Sequence, residues 1–324
     1  MRIHKPISMT EQDISKWLLK LEKIEALSKG GRMARLLNQP LKYLNGTLLS
    51  QLQYRLTKKG KFAVANTFFG RPMDVILPAG MDLYLIGAKS HGSELRLTKY
   101  LVRHLREGDI FLDIGAHFGY YSLLASSLVG SKGRVIGIEA SPSIYQVLKK
   151  NTNHVKHIDI FNIAATENEK LISFYEFPIR YSEYNTIYAK QYEKTLWFKR
   201  NLPTAVKVKG KRMDSHLKRL RIIPKIVKID VEGAEYDVVR GLDKLIEAHI
   251  PTIISEYLIG NRSSANHKKA AEFLISKKYQ ANLIKQDGTL KVIEGSIEGS
   301  LGTMNIESDN IVFKTKKISP KDNN

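Results

Sequence analysis

The sequence predicts an α/β fold in which a mostly parallel, seven-stranded sheet is flanked by helices. Apolar, strand-like runs alternate with helix-like segments between residues 110 and 277, as in parallel strands joined by helices. The run Ile226–Ile229 is apolar on nearly every residue, which is typical of a strand covered on both faces. Two strand-like pieces about a glycine-rich connection end the chain and predict an antiparallel hairpin at the sheet edge.

An N-terminal helical extension is predicted before this sheet. Thr10, followed by acidic residues, is typical of a helix start, and apolar residues then recur at helical spacing until Gly30-Gly31. A second helix is predicted over 39–57, with Pro40 in its first turn. Residues 62–86 predict short strands and turns, with strand-like runs at 75–77 and 83–86 about the turn at 78–80.

The elements of the sheet region follow one another along the chain. A helix is predicted over 93–105, and Glu107-Gly108-Asp109 ends it. Parallel strands are predicted at 110–114, 134–139, 158–163, 225–230 and 252–257. Helices are predicted at 120–128, 142–151, 234–248 and 264–277. The closing antiparallel pair is predicted at 281–285 and 310–314.

A long aromatic insertion, residues 176–204, interrupts the alternation between strand-like runs at 171–175 and 206–208. Its aromatic residues include Tyr181, Tyr184, Tyr188, Tyr192, Trp197 and Phe198. Such a loop either forms a lid or substrate wall, or is a helical excursion whose aromatic side chains cover the core. The predicted organisation is therefore a basic helical region with short strands over 1–90, the main domain with its insertion over 91–318, and a polar tail over 319–324.

The composition is that of a soluble globular protein. Of the 324 residues, 43% are apolar and 26% are charged, and no apolar run approaches the roughly 18 residues of a membrane span. The N-terminus lacks the apolar core of a signal peptide, so we expect a cytoplasmic protein. The absence of cysteine excludes disulfides, thiolate zinc sites and cysteine nucleophiles.

The formal net charge of +20 raises the question of an anionic partner. The excess is spread along the chain with a bias toward residues 1–80, which hold 14 Lys and Arg against 5 Asp and Glu. No long basic block, zinc finger or RNA-recognition motif accompanies it, which argues against a nucleic-acid partner. A solvated basic surface is the simplest interpretation, and peripheral membrane contact through the basic N-terminal region is a second one.

A glycine loop, Asp113-Ile-Gly-Ala-His-Phe-Gly119, lies between the first parallel strand and its helix. Gly115 and Gly119 let the backbone approach a ligand, and the helix N-terminus offers free N–H donors. The dinucleotide fingerprint Gly-x-Gly-x-x-Gly needs a glycine where this chain has His117. The next strand ends in Glu139, where nucleotide-binding folds place an acid against ribose hydroxyls. Together these features favour an adenosine cofactor.

Carboxylates also follow the fourth and fifth parallel strands. Asp230 and Glu232 come directly after one strand, and Glu256 lies at the end of the next. Because the carboxyl ends of parallel strands meet at one edge of the sheet, we expect these side chains near the cofactor cleft. Three carboxylates there could bind a divalent metal, act as a general base or orient a substrate hydroxyl.

Four segments of the chain resemble the FkbM-family methyltransferases, which are S-adenosylmethionine-dependent enzymes of the Rossmann-like class I fold. They are Asp113-Ile-Gly-Ala-His-Phe-Gly119-Tyr-Tyr-Ser, Gly133-Arg-Val-Ile-Gly-Ile-Glu139-Ala, Asn162-Ile-Ala-Ala165 and Lys228-Ile-Asp-Val-Glu-Gly-Ala-Glu235. The resemblance covers about residues 94–256 and the closing hairpin. The segment after Lys228 is specific, whereas the glycine loop alone is not. His117 stands where the family more often has asparagine.

The resemblance implies a role for each matching residue. Asp113, Gly115 and Gly119 would line the methionine end of S-adenosylmethionine, Glu139 would hold its ribose, and Asp230 would lie near the transferable methyl. Ser141 and the turn containing Ala164 and Ala165 would approach the adenine. His117 would contribute to the same cofactor loop.

The resemblance further implies methyl transfer to a hydroxyl of a sugar, glycan or other small-molecule acceptor, as in polysaccharide or natural-product pathways. Because the sulfonium is an activated donor, the protein mainly has to align the hydroxyl and remove its proton. We expect Asp230 or Glu256 to be the base, directly or through a divalent ion held with Glu232. His117 is a further candidate base, although a hydrogen bond within the loop is the simpler role.

Two alternatives of other classes compete with this hypothesis. A non-catalytic cofactor-binding or interaction protein could use the same scaffold, although all the strand-end acids are intact. An NAD-dependent oxidoreductase would share the sheet and the ribose acid, but it is disfavoured by His117 in place of the glycine and leaves the Asp230 segment unexplained.

Overall fold

The structure is a computed structural model with a central sheet of eight strands, and it describes residues 10–259 and 265–315. The helices are α1 (Glu11–Lys29), α2 (Gly31–Asn38), α3 (Pro40–Tyr43), α4 (Ser50–Thr57), α5 (Met81–Ile86), α6 (Gly92–His104), α7 (Tyr120–Val129), α8 (Pro142–Thr152), α9 (Leu196–Arg200), α10 (Met213–Leu220), α11 (Glu235–Gly241), α12 (Asp243–His249), α13 (Ala265–Ser276) and α14 (Ile297–Thr303). The strands are β1 (Lys61–Asn66), β2 (Pro72–Leu77), β3 (Ile110–Ile114), β4 (Arg134–Ile138), β5 (Ile158–Phe161), β6 (Ala164–Ala165), β7 (Leu171–Glu176), β8 (Thr204–Lys211), β9 (Ile226–Ile229), β10 (Thr252–Leu258), β11 (Tyr279–Ile284), β12 (Leu290–Val292) and β13 (Ser308–Thr315).

The central sheet has the strand order β12-β11-β13-β10-β9-β3-β4-β5. Strands β10, β9, β3, β4 and β5 are parallel neighbours, and β13 runs antiparallel between β10 and β11. The predicted α/β class is therefore confirmed, including the antiparallel closing pair. The predicted count of seven strands is wrong by one. The short strand β12 pairs with β11 and forms the edge, so the closing pair lies inside it.

Two apolar cores cover the two faces of this sheet. Alternate residues of each strand face opposite cores, as the period of two requires: Phe111 and Ile226 lie in one core, and Leu112 and Val227 in the other. Helices α6 and α7 contribute to the first core, and α10 to α13 contribute to the second. This two-sided burial explains the nearly uniform apolar sequence of β9.

The N-terminal region contains more helix than its sequence pattern predicted. Helix α1 begins as predicted, with the Thr10 hydroxyl accepting from the Asp13 N–H at 3.2 Å. Its residue Leu21 lies in the same core as α6, and the Lys99 ammonium meets the Glu25 carboxylate at 2.7 Å. Helix α2 follows Gly30 directly and was not predicted. The predicted helix over 39–57 is present as α3 and α4, joined by a π-helical turn over Leu44–Leu49.

Two predicted elements are wrong in type or extent. The run 83–86 was predicted as a strand, but it belongs to α5, and β2 pairs with β1 instead. All four of its residues are buried, and a short, fully buried apolar run does not distinguish a strand from a helical turn. The predicted helix over 234–248 is divided at Leu242 into α11 and α12.

A small three-stranded sheet has the order β6-β8-β7. Strands β6 and β7 come before the aromatic insertion in the chain, and β8 comes after it. Strand β6 takes the place of the turn predicted around Ala164 and Ala165. The polar tail predicted at 319–324 and the start of the helix predicted at residue 264 lie outside the described residues. Within the described ranges, no helix combines the length and the apolar character needed to cross a bilayer.

Candidate active site

A cavity of about 330 Å³ opens at the carboxyl ends of β3, β4, β9 and β10. In the sheet, β4 and β5 lie on one side of β3, whereas the later strands β9 and β10 lie on its other side. The order of the strands along the chain therefore reverses at β3. This is the switch point at which open α/β sheets bind their ligands. The cavity is lined by Gly115, Glu139 and Asp230, which directly follow β3, β4 and β9. It is also lined by Glu256, which lies near the end of β10.

Gly115 allows two loops to touch at the floor of this cavity. Its φ of +81° lies in the left-handed region, and a Cβ at this position would be 1.8 Å from the carbonyl oxygen of Asp230. Gly119, at φ +91°, precedes α7, and a Cβ there would be 2.7 Å from Cδ1 of Leu148. The first glycine therefore lets the backbone of the glycine loop approach the Asp230 loop, and the second lets it pack on α8.

Glu139 lies between the glycine loop and the start of α8. Its Oε2 accepts from the His117 N–H and its Oε1 accepts from the Ser141 N–H, both at 2.8 Å. Burial raises the pKa of Glu139 to about 7, because desolvation outweighs these hydrogen bonds. The carboxyl lines the cavity with lone pairs still available to accept from a ligand hydroxyl.

His117 also has a left-handed backbone, with φ at +50°. Asparagine, aspartate and histidine are the non-glycine residues enriched in this region, so histidine can stand where asparagine is more usual in the resembling family. Its Nε2 lies 2.9 Å from the Ser182 hydroxyl of the aromatic insertion. Burial, with a smaller effect of Lys89, lowers the pKa of His117 to about 3, so the ring is neutral and only weakly basic at pH 7.

Asp113, Gly119 and Ser141 lie behind the cavity wall. The Asp113 carboxylate is fully buried, accepts from the Ser122 hydroxyl at 2.7 Å and lies 3.7 Å from the ammonium of Lys228. Ser141 caps α8 by accepting from the Ile144 N–H at 3.1 Å, and its hydroxyl also donates to Glu176. Ala164 and Ala165, by contrast, line the cavity and form part of an apolar wall with Ile138 and Ile163.

Asp230, Glu232 and Glu256 converge as the sequence predicts. One carboxylate oxygen from each lies within 4.8 Å of the others. The set matches the all-oxygen donors that hard divalent cations prefer, so these residues could hold a metal. The loop that carries Asp230 and Glu232 is closed by Glu235, which accepts from the Gly233 N–H at 3.2 Å and lies 3.3 Å from His267 Nδ1.

The pKa values of Asp230 and Glu256 shift in opposite directions. Burial raises the pKa of Glu256 well above its usual range, and the carboxylates of Glu232 and Asp230 add to that effect. Burial would also raise the pKa of Asp230, but the ammonium groups of Lys228 and Lys89 outweigh it, and the pKa is lowered. Lys228 Nζ is 3.0 Å from Asp230 Oδ2. The lowered pKa of Asp230 favours its ionised form, and the raised pKa of Glu256 favours its protonated form.

Lys89 belongs to a charged group that the sequence did not indicate. It is the only lysine that lines the cavity within the described ranges, and its Nζ lies 3.3 Å from Glu94 and 3.9 Å from Glu183. Burial alone would lower its pKa, but Glu94, Glu183 and Asp230 outweigh burial and raise it. No motif marks Lys89, because it lies in a connection between α5 and α6 rather than at a strand end.

The aromatic insertion forms one wall of the cavity. Residues Ser182 to Asn185 and Ile187 line it. The insertion also holds the Asp230 loop, since Thr186 Oγ1 and Gln191 Nε2 both donate to the Glu232 carbonyl at 2.8 Å. Its rings pack mainly on one another, with Trp197 in contact with Phe177, Tyr181, Tyr184 and Tyr192. The insertion is thus a partly helical excursion, as one interpretation predicted, and it lines the cavity; its role as a substrate wall stays a prediction.

Comparisons with known proteins agree on methyltransferases. The family model of the methyltransferase FkbM domain matches residues 113–281, which is just over half of the chain. A protein-L-isoaspartate O-methyltransferase of Caenorhabditis elegans is 27% identical over 137 residues, covering 41% of this chain and 58% of that protein. A protein-L-isoaspartate O-methyltransferase 1 of Archaeoglobus fulgidus is 36% identical over 61 residues, covering 19% of this chain and 28% of that protein.

Solved structures with a similar outline include a methyltransferase FkbM from Methylobacillus flagellatus, with 14% identity and a TM-score of 0.39 over 70% of this chain and 56% of that one. An rRNA methylase from Streptococcus thermophilus has 8% identity and a TM-score of 0.40 over 70% of this chain and 99% of that one. The chain thus spans a little over half the length of the first curated relative, and less of the second.

Proposed function

Because the chain belongs to the FkbM methyltransferase family, we propose that it transfers a methyl group from S-adenosylmethionine to a hydroxyl of a sugar, glycan or other small-molecule acceptor. The observation that carries this proposal is the arrangement around one cavity. The glycine loop and Glu139 lie on one side, and the carboxylates of Asp230, Glu232 and Glu256 lie on the other. A cofactor held by the first set presents its reactive end to the second.

The residues present suit S-adenosylmethionine. Glu139 can accept from the ribose hydroxyls, and the apolar wall of Ile138, Ala164 and Ala165 offers a surface for the adenine. Gly115 lets the glycine loop approach the Asp230 loop closely, so both loops border the part of the cavity where the methionine portion would lie. Lys89 provides a cation for the methionine carboxylate, and the nearby acids suit a sulfonium charge. Bound in this cleft, S-adenosylmethionine would supply a methyl group already activated by a positively charged sulfur.

A neutral hydroxyl fits this cavity better than an anionic acceptor. The curated relatives are described as protein-L-isoaspartate O-methyltransferases, whose acceptor is a carboxyl group. In this chain an anionic carboxylate placed beside Asp230 and Glu232 would meet two further carboxylates within a few ångströms, which is electrostatically unfavourable. The same repulsion disfavours the phosphates of a nucleic acid. Polyhydroxylated acceptors, such as those of polysaccharide pathways, match the acceptor-rich wall.

The carboxylates divide the remaining work. Ionised Asp230 accepts a hydrogen bond from the acceptor hydroxyl and orients its oxygen toward the methyl group. Transfer of the methyl group to this oxygen would leave the electron pair of the S–CH₃ bond on sulfur, and Asp230 would take up the hydroxyl proton. Glu256 belongs to the same cluster, and its raised pKa disfavours a third negative charge beside Asp230 and Glu232. Neutral His117 positions the loop through Ser182.

A divalent ion is a second occupant of the acid cluster. Asp230, Glu232 and Glu256 would hold it, and it would lower the pKa of an acceptor hydroxyl. Because the raised pKa of Glu256 favours the protonated form, which is a poor ligand, we propose that metal binding strengthens as pH rises. Titration of Mg²⁺ or Mn²⁺ calorimetrically at two pH values measures this effect. Full turnover in excess chelator would show that the ion is not needed.

The decisive experiment joins cofactor binding to turnover. Calorimetry should detect S-adenosylmethionine but not NAD, and Asp230→Asn should abolish methyl transfer to polyol acceptors while it retains cofactor affinity. Asp159→Asn is a matched control. Asp159 does not line the cavity, and its carboxylate lies 2.6 Å from Nε of Arg134. Binding of NAD alone would refute the cofactor assignment. Full turnover of Asp230→Asn would refute the base assignment, and a cofactor-binding protein without turnover on any acceptor would favour the non-catalytic alternative.

A further inference from the structure

A row of exposed leucines runs along the N-terminal helices. Helices α3 and α4 form one continuous helical stretch through the π-helical turn, and Leu41, Leu44, Leu48, Leu52 and Leu56 recur along it at intervals of three or four residues. Their exposed fractions range from 44% to 82%. This spacing places them along one side of the helix. The leucine stripe, as we call these five residues, is therefore an exposed apolar surface along one side of the helix, of a kind that marks an interaction site.

The opposite side of the same stretch is the one that packs on the protein. Gly46, Ser50 and Tyr54 are buried, again four residues apart. A Cβ at Gly46 would lie 2.9 Å from the sulfur of Met81 and 3.2 Å from the Tyr84 ring, so the helix sits directly on α5. The leucine stripe is thus not the internal face of the helix. It points away from the core cluster that the rest of the N-terminal region joins.

The charge around the stripe selects its partner. Between Glu25 and Asp74 the sequence has no acidic residue and nine basic ones: Lys29, Arg32, Arg35, Lys42, Arg55, Lys58, Lys59, Lys61 and Arg71. Arg55, Lys58 and Lys59 are exposed at the C-terminal end of the stripe. Two copies meeting through this face would bring like charges together, which is unfavourable. An apolar stripe in a basic, acid-free helical segment is the pattern of a helix that lies in the surface of an anionic bilayer.

We propose that the leucine stripe docks this protein peripherally on an anionic lipid membrane. The leucine side chains enter the acyl boundary, and the lysine and arginine side chains meet the lipid phosphates. The helical stretch that carries the stripe packs, through its opposite side, on an element that borders the cavity. Helix α5 carries Asp82, which lines the cavity. Gly60 follows α4, and a Cβ at this position would lie 3.2 Å from Cγ2 of Ile179 in the aromatic insertion. Docking would therefore present the cleft to acceptors at the membrane surface.

Vesicle co-sedimentation of the full-length chain tests the proposal without requiring turnover. The probes are vesicles of pure phosphatidylcholine and vesicles of an equal mixture of phosphatidylcholine and phosphatidylglycerol. We expect binding to the mixed vesicles that weakens with added salt, and little binding to the neutral ones. The double variant Leu48→Glu and Leu52→Glu should bind at least about 10-fold more weakly. Neutralising Arg55, Lys58 and Lys59 to Gln should weaken binding by roughly 100-fold, at about 5-fold per charge.

A matched control is the double variant Leu171→Glu and Leu202→Glu. Both leucines are as exposed as those of the stripe, at 62% and 65%, but they lie outside it. This variant should bind vesicles like the parent. Calorimetric S-adenosylmethionine binding and circular dichroism verify that each variant is folded, and loss of methyl transfer would not affect the vesicle result. Unchanged sedimentation of the stripe variant would overturn the proposal. So would a light-scattering dimer that the stripe variant dissociates, because the stripe would then join two copies.

Discussion

Replacing Gly115 with alanine tests the contact between the glycine loop and the Asp230 loop. The residue has φ at +81°, so alanine pays a left-handed backbone cost of about 1–2 kcal/mol. In addition, its Cβ would lie 1.8 Å from the Asp230 carbonyl oxygen. Ordinary contact begins at 3.4 Å, so one of the two loops must move by about 1.6 Å, the difference between these distances. Overpacking of this kind lowers the free energy of unfolding by about a further 1–3 kcal/mol.

The functional loss should exceed the loss of stability. Because Asp230 is the proposed base, a displacement above 1 Å should lower kcat/KM by about 100-fold or more. Gly70→Ala is the control, since Gly70 has φ at +84° but nothing within 4 Å of its added Cβ. It should show the backbone cost alone and near-parental turnover. Thermal melting and methyl-transfer rates of both variants provide the comparison. Equal melting temperatures and equal rates for the two alanine variants would refute the assignment of a steric role to Gly115.

Three further outcomes are expected. His117→Asn should keep the melting temperature nearly unchanged because asparagine tolerates φ at +50°, whereas His117→Val should lower stability by about 1–2 kcal/mol, and equal melting of the two would contradict the backbone explanation. Burial raises the pKa of Glu139 to about 7, so between pH 5 and 7 the folded protein holds a proton that the unfolded chain has released, and stability should fall as pH rises through that window. Glu139→Gln should flatten the dependence of melting temperature on pH. An unchanged slope would argue against the raised pKa. Lys89→Met should weaken S-adenosylmethionine binding in calorimetry by about 10-fold, as expected for the loss of one charge-assisted hydrogen bond, whereas Lys132→Met, whose ammonium is exposed and 3.4 Å from Glu107, should not.

The parts of the site that lie at strand ends were predictable. Gly115, Glu139, Asp230 and Glu256 each follow or end a strand that has a clear apolar pattern, and the structure brings all four to one cavity. The grouping of Asp230 with Glu232 and Glu256 was predicted for the same reason. Periodicity identified the strands, and parallel pairing then determined which of their ends meet.

The position of side chains relative to the cavity was less predictable. Asp113 and Ser141 share the motif with the lining residues, but their side chains face Ser122 and Glu176 rather than the open space. Sequence spacing gives the order of residues along a loop, whereas orientation depends on backbone angles such as the left-handed φ of His117 and Glu232. The strand predicted at 83–86 was wrong for a related reason, because burial on all sides removes the periodicity that distinguishes a strand from a helix.

Taken alone, the sequence determined the α/β class, the family and the strand-end acids, because these depend on local patterns of a few residues and on one rule of parallel topology. Only the tertiary structure decided that Lys89 and the insertion residues Ser182 to Asn185 and Ile187 line the cavity, and that the leucine stripe faces away from the core. Those placements arise from contacts between segments far apart in the chain. Such contacts leave no periodic trace in either segment, since each one depends on where the other packs.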